Sequence, residues 1–184
     1  LVEEEFGKTS DALIRRVFGQ VYPMLLPCNA AQREKYLLPT VKGDKICAMA
    51  ITEPGAGSDA ASISTTARLE GDRWVLNGGK HFISDGDIAD YVIVMAVHDK
   101  EKRARGGISL FLVDKGTPGF EVTGVQPMMG HRGYGHAELV FENCRIPADS
   151  VMGEVGEGFK LIMSSVSGIR LAHIGARAVG MGQR

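Results

Sequence analysis

The residues best equipped for chemistry stand together in one run: Ile51, Thr52, Glu53, Pro54, Gly55, Ala56, Gly57, Ser58 and Asp59. An apolar stretch over residues 46–52 leads into it and ends in a hydroxyl. Pro54 withholds a backbone donor and fixes φ at about −65°. Gly55 and Gly57 can take positive φ and leave room for a ligand against the backbone. Ser58 and Asp59 end the turn with polar side chains. A strand running into a glycine-rich turn suits a planar or anionic ligand, because backbone N–H groups converge there. The same residue types also serve simply to reverse the chain, and this run alone leaves both readings open.

Other candidates are more dispersed. Phe82, a large aromatic in a strand-like stretch, reads as a ring for stacking or as ordinary core. Ser84 precedes Asp85-Gly86 and by itself reads as a turn serine. Arg170, Arg177 and Arg184 recur every seven residues and share a helix face, where a phosphate or water can meet them. Cys28, Cys47 and Cys144 cannot all pair within one chain and match no metal spacing, so a reducing compartment is expected.

The elements that must hold these residues change character along the chain. Residues 1–47 read as helices and loops: residues 2–6 stopped at Gly7, residues 12–18 capped by Thr9, Ser10 or Asp11, and residues 30–38 capped by Asn29, with Pro39 and Gly43 as breakers. Strands are predicted at residues 46–52, 62–69, 74–77, 80–84, 91–97, 108–113 and 138–146, with a hairpin across Asn77-Gly78. Many short strands at even spacing imply an antiparallel barrel or sandwich. From residue 157 onward the pattern is helical, with Phe159, Ile162, Met163, Val166 and Ile169 as one apolar stripe. Gly168, Gly175, Gly180 and Gly182 in that region suggest a helix crossing its neighbours closely, or a break near Gly168.

Composition narrows the class. The 184 residues are 44% hydrophobic and 23% charged, an ordinary globular balance for one or two domains. A net charge of −1 gives no field for nucleic acid or an anionic membrane. The basic stretch 98–105 lacks interleaved aromatics and contains Asp99 and Glu101, so it reads as a surface loop. The longest apolar run, residues 91–97, is too short to span a bilayer.

Taken together, these motifs in their order resemble the acyl-CoA dehydrogenase family. Beyond the Thr-Glu-Pro-Gly-Ala-Gly-Ser-Asp run, residues 74–84 resemble its Asn-Gly-x-Lys-x-(Trp/Phe)-Ile-(Thr/Ser) segment. Residues 129–132 with 141–147 resemble its Met-Gly-x-Arg and Phe-x-x-x-x-Val-Pro segments, with Ile146 in place of the valine. Residues 156–159 followed by Arg170 resemble the start of its C-terminal helical domain. The resemblance implies an α+β fold, an antiparallel β-barrel middle domain flanked by helical segments. The expected divisions are the end of an N-terminal helical domain (1–47), a middle flavin/acyl-CoA domain (48–153) and the first helix of a C-terminal domain (154–184).

It also implies FAD as cofactor and residue roles around it. Met49, Ile51 and Thr52 would border the pyrimidine side of the flavin, Gly57 and Ser58 would reach its phosphate, and Ser58 the substrate as well. Phe82, at a position where the family often has Trp, would stack on the ring. Ile83 would lie beside it, and Ser84 would supply the hydroxyl at flavin N5. Arg170 would approach the acyl-CoA, although Ser167 replaces the Asp of the family's Asp-x-x-Arg motif. Glu53 is assigned no catalytic role, and Ile169 stands where some members carry the glutamate base, so no catalytic residue is assigned within the chain. The implied reaction is α,β-dehydrogenation of an acyl-CoA thioester with hydride transfer to flavin N5, the base lying outside this chain, and the segment alone is expected to be inactive. Electron-transfer flavoprotein would be the electron acceptor, and a homo-oligomer (dimer or tetramer) is expected, in the cytoplasm or the mitochondrial matrix. The alternatives are an oxidase or flavin monooxygenase of the same fold, and a non-catalytic binding or assembly module.

Overall fold

The structure is a computed structural model and describes residues 4, 5, 8, 23–129, 135–169 and 174–183. The helix predicted at 12–18, the Met-Gly-x-Arg segment beyond Met129, and Arg170 and Arg184 lie outside the described residues.

Seven strands form one curled sheet, a half-barrel: β1 (Cys47–Ala50), β2 (Thr66–Glu70), β3 (Arg73–Ser84), β4 (Tyr91–Val97), β5 (Ile108–Asp114), β6 (Phe120–Val125) and β7 (His136–Pro147). The order is β1-β4-β2-β3-β7-β6, with β5 also paired to β4. The β2–β3, β3–β7, β4–β5 and β6–β7 pairings are antiparallel, while β1 and β2 run parallel to β4. With helices packed on one side of the sheet, the fold is α+β.

β4 is the spine. All seven of its residues are buried, because its two faces serve two cores. Tyr91, Ile93, Met95 and Val97 face the helical side with Met24, Leu25, Tyr36, Met152 and Ile162, whereas Val92, Val94 and Ala96 join Trp74, Leu76, Phe111, Leu139 and Phe141 inside the sheet's curl. Trp74 meets Phe111 edge-on at 5.2 Å, and Phe120 stacks on Phe141 at 5.0 Å. A continuous apolar run is the expected signature of a strand with no wet face.

The hairpin predicted at Asn77-Gly78 does not form. β3 runs straight through it for twelve residues, and the reversal comes earlier, at Glu70-Gly71-Asp72-Arg73, where β2 folds back onto β3. Gly78 instead sits at φ 144°, at a slip in the β3–β7 register between Leu76 and Gly78. A Cβ there would lie 2.7 Å from the Thr65 Cα, so glycine is needed for close approach and not for a turn. β6 escaped the sequence reading: it is short and mostly exposed on the sheet's outer edge.

Asn29 does cap the first described helix. Its side chain accepts from the Gln32 N–H at 2.9 Å and the Gln32 side chain accepts from the Asn29 N–H, a reciprocal capping box. Helix α1 covers residues 30–42, with α-helical Ala30–Gln32 and Leu38–Lys42 joined by a π turn at Arg33–Leu37. Pro39 therefore does not end the helix. It follows the π turn, and the Lys35 carbonyl that a residue-39 N–H would have met accepts from Lys45 Nζ at 3.1 Å. Gly43, at φ 84°, ends the helix.

Helix α2 (Gly158–Ile169) begins hard against β5: a Cβ on Gly158 would fall 2.6 Å from the Ser109 carbonyl carbon. Its inward face is Phe159, Leu161, Ile162 and Val166; Met163, predicted on that stripe, is instead exposed. Helix α3 (Ala176–Gly182) follows. Gly175 and Gly182 have nothing within 4 Å of an added Cβ, so they do not mark the close helix crossing that the sequence suggested. Among the described residues no helix is long and apolar enough to cross a membrane.

Candidate functional site

After Ala50 the chain leaves β4 and comes alongside β3. The His81 N–H donates to the Thr52 carbonyl at 2.8 Å, and Lys80 Nζ donates to the Ile51 carbonyl at 3.0 Å. Thr52 and the Phe82-Ile83-Ser84 strand thus border one wall. The corner beyond them is a tight turn: Glu53 N–H donates to Ala56 O at 3.0 Å and Ala56 N–H to Glu53 O at 3.1 Å, with Pro54-Gly55 at its tip. Neither Gly55 nor Gly57 needs positive φ, contrary to expectation. Both have open space where a Cβ would stand, so the backbone there is bare for a ligand to approach. Asp59 caps the short turn Ala60–Ser62 by accepting from the Ala61 N–H at 3.2 Å.

Phe82 is the most unusual residue of the wall. The β3–β7 register slips between Lys80 and Ile83, and within that bulge Phe82 adopts φ 57°, a left-handed conformation that costs a non-glycine residue about 1–2 kcal/mol. The bulge throws the ring outward, 53% exposed, with the His81 ring edge-on at 4.0 Å. Strain of this kind, spent on exposing a large aromatic, marks a ligand face more readily than a core. Ile83 returns to the interior at 2% exposure, so only its backbone is available to a ligand. Ser84 is half-buried, its Oγ 3.5 Å from His136 Nε2. Nearby, His81 Nδ1 lies 3.2 Å from Glu138 Oε1, which also accepts from Gln126 Nε2.

Behind the wall is a buried ion pair that the sequence did not reveal. Lys80 Nζ and Glu53 Oε1 are 2.8 Å apart, with their side chains 0% and 2% exposed. Glu53 also accepts from the Ser64 N–H and Oγ, both at 2.6 Å, and from the Thr65 N–H at 3.0 Å. Burial pushes the Glu53 carboxyl up, but the Lys80 ammonium and these donors outweigh it and hold it well below the usual carboxylate range. Burial draws the Lys80 ammonium down, opposed by Glu53. Glu53 is therefore fully engaged by its four donors.

Of the expected site residues, Met49, Ile51 and Thr52 are half-buried on one side of the wall, Gly57 and Ser58 are exposed on the corner, and Phe82 and Ser84 stand on the adjoining strand. An outward-facing ring, a half-buried hydroxyl, polar backbone and an open glycine corner suit the face and edge of a flat, polar-rimmed ligand such as a flavin. Cys28, Cys47 and Cys144 are all free and buried. Among the described residues no group of His, Cys, Asp and Glu is arranged to hold a metal ion.

Comparison with known proteins identifies the family. The family described as "Acyl-CoA dehydrogenase, middle domain" matches residues 48–144. Acryloyl-CoA reductase (NADH) of Anaerotignum propionicum is 43% identical over 83% of this chain and 39% of its own length. The human mitochondrial short-chain specific acyl-CoA dehydrogenase is 41% identical over 96% of this chain and 43% of its own length. The structure of butyryl-CoA dehydrogenase from Megasphaera elsdenii superposes with a TM-score of 0.86 at 37% identity, covering 97% of this chain and 47% of that one. This chain thus spans about two fifths of the curated relatives it matches. Since the matched region holds the corner, the bulge and Ser84 in one uninterrupted stretch, the chain belongs to the acyl-CoA dehydrogenase family.

Proposed function

We propose that the protein containing this chain carries out flavin-dependent α,β-dehydrogenation of a short-chain acyl-CoA thioester. The observation that carries the reading is the bond from the His81 N–H to the Thr52 carbonyl, which joins the proline-glycine corner to the outward-facing Phe82 and the Ser84 hydroxyl. The names of the human and Megasphaera relatives favour a short acyl chain.

FAD is the cofactor these residues suit, and when bound it supplies the hydride-accepting redox chemistry. Met49, Ile51 and Thr52 border its polar rim, Phe82 covers a face, and Gly57 and Ser58 lie toward its phosphate and the substrate. Ser84 holds a hydroxyl at the reacting edge, preorganised to favour negative charge there. Positioning is this segment's contribution; the base that removes the α-proton comes from elsewhere in the whole protein. The proposed divisions are 1–47, 48–153 and 154–184, with Arg170 toward the acyl-CoA. Electron-transfer flavoprotein as acceptor, a homo-oligomeric state, and a cytoplasmic or matrix location belong to the same proposal.

A second reading follows from the Anaerotignum relative, whose name describes reduction of an acryloyl thioester. One experiment addresses both. The purified whole protein is expected to carry visible flavin absorption, and anaerobic butyryl-CoA is expected to bleach it more readily than palmitoyl-CoA. Absence of flavin after reconstitution with FAD would defeat either reading. Bleaching by NADH and recovery with acryloyl-CoA, without bleaching by butyryl-CoA, would favour the reductase.

A further inference from the structure

We propose that Lys80, held in place by Glu53, is a positioning residue for the flavin: its buried ammonium locks the Ile51–Thr52 backbone to the bulge that presents Phe82. The inference rests on the flavin reading above and assigns a role to two residues outside the ligand-facing set.

The ion pair by itself does not explain a buried lysine. Two apolar side chains of similar volume would commonly stabilise such a site as well or better. What a lysine adds here is a donor to the Ile51 carbonyl at 3.0 Å. The next carbonyl, that of Thr52, takes the N–H of the next residue, His81, at 2.8 Å. Two consecutive residues of the corner strand are thereby tied to two consecutive residues of β3. Phe82 follows immediately, in its left-handed conformation, and Ile83 on its other side is fixed in the core. A strained residue keeps its conformation only when its surroundings over-determine it. Here the fixed points are the Lys80 clamp and the buried Ile83. Glu53 secures the clamp from behind, since its carboxylate also takes the Ser64 and Thr65 donors at the approach to β2. The Lys80 donor thus sets the relative position of the segment bordering the flavin's polar rim and of the ring that covers its face, while the Glu53 side chain holds Lys80 from behind.

The test titrates FAD into the apo form of the whole protein and follows flavin fluorescence, visible circular dichroism and thermal unfolding. It compares wild type, Glu53→Gln, Lys80→Met and the double variant. Glu53→Gln keeps the donor to Ile51 and is expected to retain the wild-type flavin dichroism despite a lower melting temperature. Lys80→Met is expected to bind FAD about tenfold more weakly with altered dichroism. The double variant, in which neither charge is stranded, should recover melting temperature over Lys80→Met without recovering the flavin signature. A purely structural role predicts that affinity and dichroism are unchanged in every variant that folds, and that result overturns the proposal. Should the double variant not fold, Glu53→Gln against Lys80→Met at low temperature decides, and equal flavin signatures in those two overturn it. Failure of wild type to bind FAD would sink the flavin reading itself, and is distinguishable because it appears before any substitution is made.

Discussion

Replacing Phe82 by glycine and by alanine separates the backbone's contribution from the ring's. At φ 57° a residue bearing a Cβ is strained by about 1–2 kcal/mol, which glycine avoids. Glycine also loses more backbone entropy on folding, about 0.5–1 kcal/mol relative to alanine. Both substitutions forfeit the same ring burial, so that contribution cancels between them. Phe82→Gly should therefore be more stable than Phe82→Ala by about 0.5–1 kcal/mol, the reverse of the order at an ordinary strand position. Relative to wild type, a ring already 53% exposed has about half of the roughly 2–3 kcal/mol of a fully buried phenylalanine to lose. Phe82→Gly should consequently lie within about 1 kcal/mol of wild type, since relief of strain offsets the lost burial and entropy. Denaturant unfolding of the three proteins without flavin measures these differences, and FAD titration measures the ring's share of binding. Alanine more stable than glycine would refute the left-handed assignment. Unchanged FAD affinity in both variants would refute the stacking role.

Three further outcomes follow from other parts of the structure. Gly78→Ala should cost about 1–3 kcal/mol in denaturant unfolding, because the new methyl would press on the Thr65 backbone at a φ of 144°; a neutral result would mean that Thr65 and Gly78 are not so close. Burial pushes the Cys28 and Cys144 thiols up to about 11 and Cys47 up to about 12, so at pH 8 about one thiol in a thousand or fewer is ionised. Iodoacetamide should leave all three unmodified in the native protein, and mass spectrometry should show three additions after denaturation. Glu53, depressed in the folded state, contributes stability that is present above its unfolded value near 4.5 and is lost as pH falls toward about 2. Glu53→Gln should lower stability at pH 7 and flatten the acid limb of the stability–pH curve; an unchanged acid limb would show that the pair is not formed.

Where the sequence was readable, the physics was local. The run at β4 is apolar at every position and had no other way to be buried, and Asn29 lies three residues from the glutamine that completes its cap. The corner and the Phe-Ile-Ser strand were legible as separate motifs, each with its own residue pattern. What could not be read was their junction. The Lys80–Glu53 contact spans 27 residues, and the slip in β3 register that exposes Phe82 follows directly after Lys80. Asn77-Gly78 misled because its local preference is for a hairpin, while β7 supplies a partner strand along almost the whole of β3 and keeps it extended. Pro39 misled in the same manner, since a side chain six residues onward compensates for its missing donor.

The double burial of β4 also determines how this segment can change over generations. Most sheet strands offer alternate positions to water, and there polar replacements are tolerated at every second site. Tyr91 to Val97 offers none, for each side chain fills one of two separate interiors. A saturation library across those seven sites should therefore show an unbroken block of depletion, and any size increase at Val92, Val94 or Ala96 would need a compensating loss inside the curl, whereas one at Ile93 or Met95 would need it among the helices.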